Sequence, residues 1–384
     1  MRLRPPGEKD FRSALHDPRV ATVIGRWLGI AFAVCFLTGL ISHFQQDTPG
    51  WLVLPSRPVW AYRVTQGLHV VSGTVAIPLL LAKLWTVYPR LFAKLPWPPS
   101  RRALNMLAER GSITILVSAS ALQLATGFLN TLQWYPWPFP FRQTHYALAW
   151  LIIGSLVLHI AVKLPLITAH WRRTRPEPAS DPLPAATTGL TRRALFRTVA
   201  GAGTLVGLTA VGQSVTPLRD VAVLAPRRPG VGPQGLPVNR TAEAAGVLAT
   251  ARSADWRLAI AGPQPQSFSL DDLNALPQTE VRLPIACVEG WSQSAHWAGV
   301  LIRDLLRSAG APHDARVRVV SLEQNGFYAV SELPPRFARD PLTLLALRLN
   351  GSVLDIDHGY PARIIAPNRP GVLQTKWVHR LEVL

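Results

Sequence analysis

The sequence predicts a two-part chain: an N-terminal all-α bundle of four membrane helices with a fifth behind them, then an α+β domain. Three observations predict it. Apolar residues are concentrated before residue 216, in a chain of 384 residues that is 48% hydrophobic and 16% charged. Four apolar stretches, roughly Val20–His43, Val64–Leu84, Gly111–Asn130 and Thr144–Leu164, approach the ~20 residues that cross a hydrocarbon core. From about Asn239 the pattern turns to short alternating segments between turns.

The charge pattern says what surrounds the first part. A formal net charge of +18 suits either nucleic acid or a membrane with basic flanks. Here Lys and Arg stand beside apolar runs instead of forming a patch, which points to the bilayer and away from nucleic acid. Arg2, Arg4, Lys9, Arg12 and Arg19 precede the first stretch. Arg90, Lys94, Arg101, Arg102 and Arg110 separate the second from the third, and Arg172, Arg173, Arg175, Arg192, Arg193 and Arg197 follow the fourth. The other two connections hold only Arg57, Arg63 and Arg142, beside an aromatic belt of Trp51, Trp60, Tyr62, Trp134, Tyr135 and Trp137. The positive-inside rule then places the N-terminus in the cytoplasm and returns the fourth helix there.

Residues 1–173 are therefore expected to form the four-helix membrane module, and 174–190, rich in Pro and Ala, a linker. Residues 191–217 begin TRRALFRTVAGAG. Paired arginines ahead of an apolar run resemble a twin-arginine export signal, retained as a fifth, anchoring helix; an ordinary basic helix flank is the alternative. Residues 218–238 read as a Pro- and Gly-rich tether, and 239–384 as the soluble domain. Within it, Trp256–Ala261, Val281–Ala286, Val317–Leu322, Phe327–Val330, Ala362–Ala366 and Thr375–Val383 are expected strands. Asp271–Leu276 and Val300–Ala309 are expected helices.

Two cysteines are too few for an iron–sulfur cluster, which takes about four ligands. An electron carrier in this chain has to use histidine or an organic cofactor. Cys35 lies in an apolar run, whereas Cys287 ends a strand and opens the glycine-containing loop of ACVEGWS. Ligands are commonly presented on such loops. By residue type alone Cys287 is a buried inert thiol, a nucleophile with His296 as its base, or a metal ligand.

Residues Ile285–Trp297 (IACVEGWSQSAHW), the GVLIRDLL that follows, and the C-terminal DHGYPARIIAPNRPGVLQTKWVHRLEV together resemble the molybdopterin-binding domain of the sulfite oxidase family. The resemblance spans roughly residues 239–384. It implies that Cys287 ligates molybdenum through its thiolate and that Asn239 matches the cofactor-binding polar residue that opens the fold. It also implies that Arg363 holds the pterin phosphate and that Gln374, Thr375 and Lys376 form a further cofactor-binding turn. His358 stands where the periplasmic methionine sulfoxide reductase branch has an asparagine at the pterin. The CVEGWS run is similar to that branch. Sulfite-oxidising members carry basic residues just after the cysteine, and Glu289 and Trp291 in their place turn the expectation away from sulfite. His296, Trp291 and Trp297 either line the substrate entrance or simply pack.

His43, His69, His145 and His159 lie in or at the ends of the apolar stretches, where ionisable residues are rare and usually functional. A bis-histidine haem b takes one imidazole from each side. His69 and His145 are expected at similar outer depth, with Gly73 one turn below His69 leaving room for the macrocycle. Interfacial histidines with glycine-mediated helix packing are the alternative. His159 follows His145 by 14 residues, about 21 Å along the same helix. That spacing resembles the di-haem cytochrome b561 group. Lys83 stands where the second helix would supply its partner, however, and His16 lies some residues short of that depth.

One outer haem iron, on His69 and His145, is expected, with His43 as a competing ligand or quinone-site residue. The chain then reads as a molybdenum-dependent oxidoreductase of the bacterial cytoplasmic membrane, its catalytic domain outside. It exchanges electrons with the quinol pool and reduces a small S-oxide or N-oxide. The alternatives are oxidation of a small substrate such as sulfite, or a haem-free anchor with a separate donor.

Overall fold

A computed structural model describes residues 14–89, 101–172, 191–225, 227–324, 326 and 328–384. The basic residues Arg2 to Arg12, Arg90 and Lys94, Arg173 and Arg175, the linker at 174–190 and Phe327 lie outside them. Five long helices come first: α1 Pro18–Gln46, α2 Ala61–Val87, α3 Arg101–Thr131, α4 Phe141–Arg172 and α5 Arg192–Val211. Each is long and apolar enough to cross a membrane. α3 overruns its apolar stretch by a flank, RRALNMLAER, rich in good helix formers that continue the backbone ladder past the apolar segment.

The chain divides into two compact units, Met1–Leu37 with Val70–Leu208, and Thr38–His69 with Thr209–Leu384. In the first, Leu15, Val20, Ile24 and Leu195 cluster with Leu79 and Ala82. Leu28, Ala31, Ala76 and Leu80 form a second cluster joined by Leu124. Leu81, Val157, Leu158, Val162 and Leu205 remain exposed. Helices apolar on their outer faces suit a lipid neighbour rather than water. Gly73 faces Cys35 Sγ of α1, and an added Cβ would sit 3.4 Å from it, an ordinary van der Waals contact.

The second unit contains α6 Leu248–Ala251, β1 Arg257–Ala261, β2 Gln266–Ser269, α7 Leu270–Ala275, β3 Thr279–Ala286, β4 Ser292–Leu301 and α8 Ile302–Ser308. These are followed by β5 Val317–Ser321, β6 Val330–Leu333, α9 Pro335–Ala338, β7 Leu344–Leu349, β8 Ser352–Val353, β9 Arg363–Ile365 and β10 Val378–Val383. One sheet runs β2-β1-β10-β5-β6, and only its β1–β10 pair is parallel. The other runs β3-β4-β7-β8, with β9 also on β7. Leu258, Ile260, Val319 and Leu381 of the first sheet meet Val300, Leu345, Leu347 and Ile364 of the second, and Ile302, Leu305 and Leu306 of α8 close this core. The opposite face of the second sheet holds Leu283, Ile285, Trp297, Leu344, Ala346 and Ile365 in a cluster that includes Cys287. That layer positions the site.

Three expectations need correction. The strand expected at Phe327–Val330 begins only at Val330, as β6, after a turn at Tyr328 and Ala329. Val300 and Leu301 end β4 rather than beginning a helix, because both pair with β7. The later part of the stretch read as a tether, 218–238, is stitched into the fold. Gln234 Nε2 donates to the Leu349 and Val353 carbonyls at 3.0 Å, its Oε1 accepts from Asp355 N–H at 2.8 Å, and Leu236 is buried in the Cys287 cluster.

Candidate active site

Cys287 stands where β3 turns back into β4. The Cys287 N–H donates to the Trp291 carbonyl at 2.9 Å, and Gly290 N–H to the Cys287 carbonyl at 3.1 Å. Gly290 has φ 109°, a left-handed conformation that glycine adopts without a Cβ penalty. The thiol is 4% exposed. Asn239 Nδ2 donates to its Sγ at 2.7 Å, and Trp291 Nε1 donates to Asn239 Oδ1 at 2.9 Å. The indole orients the amide, and the amide orients the sulfur. Burial first, and then the Glu289 carboxylate, push the thiol far above its ordinary pKa. Such a thiol stays protonated in water's company and ionises on a metal.

The other half of the site is cationic. Arg363, on β9, is 2% exposed. Its Nη1 donates to the His358 carbonyl at 2.9 Å and its Nη2 to the Gln374 carbonyl at 3.2 Å, with the guanidinium 5.2 Å from the Trp297 ring centre. Burial pulls it down to about 9. Lys376 Nζ donates to the Asp357 carbonyl at 2.7 Å and to that of Arg240 at 2.9 Å. Burial, and then Arg363, pull Lys376 down to about 7. Gly359, at φ 112°, makes this convergence possible: an added Cβ would lie 3.0 Å from Lys376 Cβ and 3.1 Å from Arg363 Cβ. Trp297 joins the halves, since it shares the Cys287 cluster and lies under Arg363.

This donor set fits a pterin phosphate. Cations resting on carbonyls in a buried place are under-compensated, and an anion restores them. Arg363 Nε and Gln374 Oε1, a donor and an acceptor, are both buried and have no hydrogen-bond partner among the described residues. Thr375 Oγ1 is engaged with Ser331 Oγ at 2.6 Å. His358 lies within the site, 2.7 Å by Nε2 from the Pro233 carbonyl. A carbonyl only accepts, so Nε2 carries the proton and donates it to Pro233. Burial lowers the ring to about 4, leaving it neutral with Nδ1 as an acceptor.

Of the residues expected at the substrate entrance, Trp291 and Trp297 are buried and hydrogen-bonded to Asn239 and the Leu283 carbonyl, so they pack. His296 is exposed, on the opposite face of β4 from Trp297, which removes it as a base for Cys287. Among the membrane histidines, an added Cβ at Gly39 would meet His69 Cε1 at 2.8 Å, and one at Gly127 would meet His145 Cε1 at 3.2 Å. His145 also tilts over Phe141 with ring centres 5.0 Å apart, and His159 is half-buried. The sequence reading missed Asn368, which accepts from Tyr62 N–H and donates to the Pro55 carbonyl, both at 2.8 Å. It also missed Gln66, a polar residue early in an apolar stretch, and that polarity was the available signal.

Residues 245–384 match the family described as an oxidoreductase molybdopterin binding domain. A putative protein-methionine-sulfoxide reductase subunit of Azospira oryzae is 30% identical over 133 residues, covering 34% of this chain and 50% of that protein. The mitochondrial sulfite oxidase of Mus musculus is 31% identical over 148 residues, 32% of this chain and 27% of that protein. The catalytic subunit of a protein-methionine-sulfoxide reductase from Ralstonia nicotianae is 31% identical over 147 residues, 34% of this chain and 44% of that protein. The chain thus spans half or less of the length of these relatives.

Proposed function

With residues 245–384 a molybdopterin-binding oxidoreductase domain of the sulfite oxidase kind, we propose that the chain reduces a small S-oxide or N-oxide outside the bacterial cytoplasmic membrane, using electrons from the quinol pool. The observation that carries this reading is the loop after Cys287. Sulfite is an anion and calls for cations beside the metal ligand. Here the next residues are Val288, Glu289, Gly290 and Trp291, with Glu289 buried and 3.9 Å from Arg227. A neutral oxide suits that loop better than an anion does. The cofactor, when bound, supplies two-electron oxygen-atom transfer. Cys287 would ligate its metal, Asn239 and Trp291 would fix the sulfur, and Arg363 and Lys376 would hold the phosphate.

Among the described residues, five helices of membrane-spanning length support a bilayer anchor, and the basic flanks read from the sequence support a cytoplasmic N-terminus. We extend the proposal to haem b on imidazoles of the membrane half, His69 and His145 first among them, on the strength of their places in the sequence. Detergent-purified protein from a host that makes molybdopterin is expected to carry molybdenum and pterin and to show a b-type reduced-minus-oxidised spectrum. It should turn over S-oxides or N-oxides in preference to sulfite. Cys287→Ser should lose molybdenum and turnover while keeping the fold and the haem bands. Retained turnover rejects the ligand assignment, and sulfite as the better substrate reverses the direction of electron flow.

A further inference from the structure

A polar side chain outside residues 245–384 reaches the ligand loop. The first turns of α2 belong to the same compact unit as Cys287. Val59, just before the helix, packs on the Cys287 cluster, and Asn368 pins the helix start through the Tyr62 N–H. One turn further on, Gln66 Nε2 donates at 2.5 Å to the carbonyl of Val288, the residue after Cys287. A carbonyl only accepts, so the amide cannot be reversed, and its oxygen is directed away from Val288. Gln66 is 4% exposed, and its Oε1 has no hydrogen-bond partner among the described residues. A buried amide acceptor is costly to leave unanswered, the more so on a helix built of apolar residues.

We propose that Gln66 is a cofactor-contacting residue supplied by the membrane-spanning helix: its amide N–H holds the Cys287 loop, and its Oε1 accepts a hydrogen bond from a pterin N–H. The bound group has to be a donor. An S-oxide or N-oxide oxygen bears no hydrogen and cannot serve, whereas the ring N–H and amino groups of a pterin can. The inference rests on the reading of residues 245–384 as cofactor-loaded. It makes the pocket composite, with one wall on a helix that no motif of the domain includes.

The test compares full-length wild type, Gln66→Met and Gln66→Glu, each prepared with and without cofactor. Pterin is followed by the fluorescence of its released oxidised form, and stability by thermal unfolding. Gln66→Met has neither donor nor acceptor and is expected to lose pterin on dialysis about fivefold faster than wild type, the equivalent of one hydrogen bond. Gln66→Glu keeps an acceptor and should retain pterin better than the methionine variant. Loading should raise the melting temperature of wild type more than that of Gln66→Met. A residue that only clamps Val288 would lower the loaded and empty forms equally, and that result, or equal pterin retention, overturns the proposal. If Gln66→Met does not fold, loss of pterin from folded Gln66→Glu as fast as free pterin crosses the dialysis membrane overturns it as well. Wild type isolated without pterin overturns instead the reading of the domain on which the proposal rests.

Discussion

Asn239 spends its amide in both directions, accepting from the Trp291 indole and donating to Cys287 Sγ. A metal ligand oriented through an outer residue loses precision when that residue goes, commonly by about 10- to 100-fold in metal affinity or activity. Trp291→Phe keeps the ring in the cluster and removes only the N–H. It should therefore lower molybdenum retention or turnover by about tenfold while leaving the melting temperature of the cofactor-free protein in place. Unchanged turnover would reduce the tryptophan to packing. At this scale the motif-borne residues were legible. Cys287 and Asn239 are brought within one hydrogen bond, and Arg363 and Lys376 meet across Gly359, because each is set by a short stretch of backbone. The role of His358 was not, since its proton is claimed by Pro233, 125 residues earlier in the chain.

Strands were legible from sequence in proportion to how differently their two faces are buried. β1 alternates exposed and buried residues, and its period of two announces it. β7, LLALRL, faces one core with Leu345 and Leu347 and the other with Leu344, Ala346 and Leu349. A strand buried on both sides has no alternation to read. β4 was hidden for a related reason: its C-terminal end runs into α8, and the apolar spacing of GVLIRDLL suits a helix throughout. What marks the β4–β7 contact is Gly299, at a shift in register, where an added Cβ would fall on the Leu345 carbonyl oxygen and 2.7 Å from Ala346 Cα. Backbone cannot give way as a side chain can. Gly299→Ala should therefore destabilise the unit by about 1–3 kcal/mol or more, with strain as the mechanism. A lowered melting transition for the C-terminal unit checks this, and an unchanged one would mean that the two strands separate freely.

For the whole molecule, the question is what a chain of net charge +18 gains by placing two of its cations side by side, Arg363 buried and Lys376 half-buried. Lys376 is held at about 7 in the folded unit, against an ordinary value of 10.5. Between those limits the unfolded chain binds more protons than the folded one, so stability rises with pH across that window. Below about 7 both states are charged, and the whole burial penalty is present. The slope from Lys376 alone is at most about 1.4 kcal/mol per pH unit. Arg363, lowered to about 9, adds to it only at higher pH. A bound phosphate reverses the balance, because it favours the charged lysine, and its hold weakens as the lysine deprotonates. Cofactor-free protein should thus melt at higher temperature as the pH is raised from 7 to 9. Loaded protein should show a flat or falling profile, and Lys376→Met should flatten the cofactor-free curve. The transition to follow is the one that Gly299→Ala lowers, which separates the C-terminal unit from the helices. Parallel profiles for the loaded and empty forms would show that no anion sits on these cations.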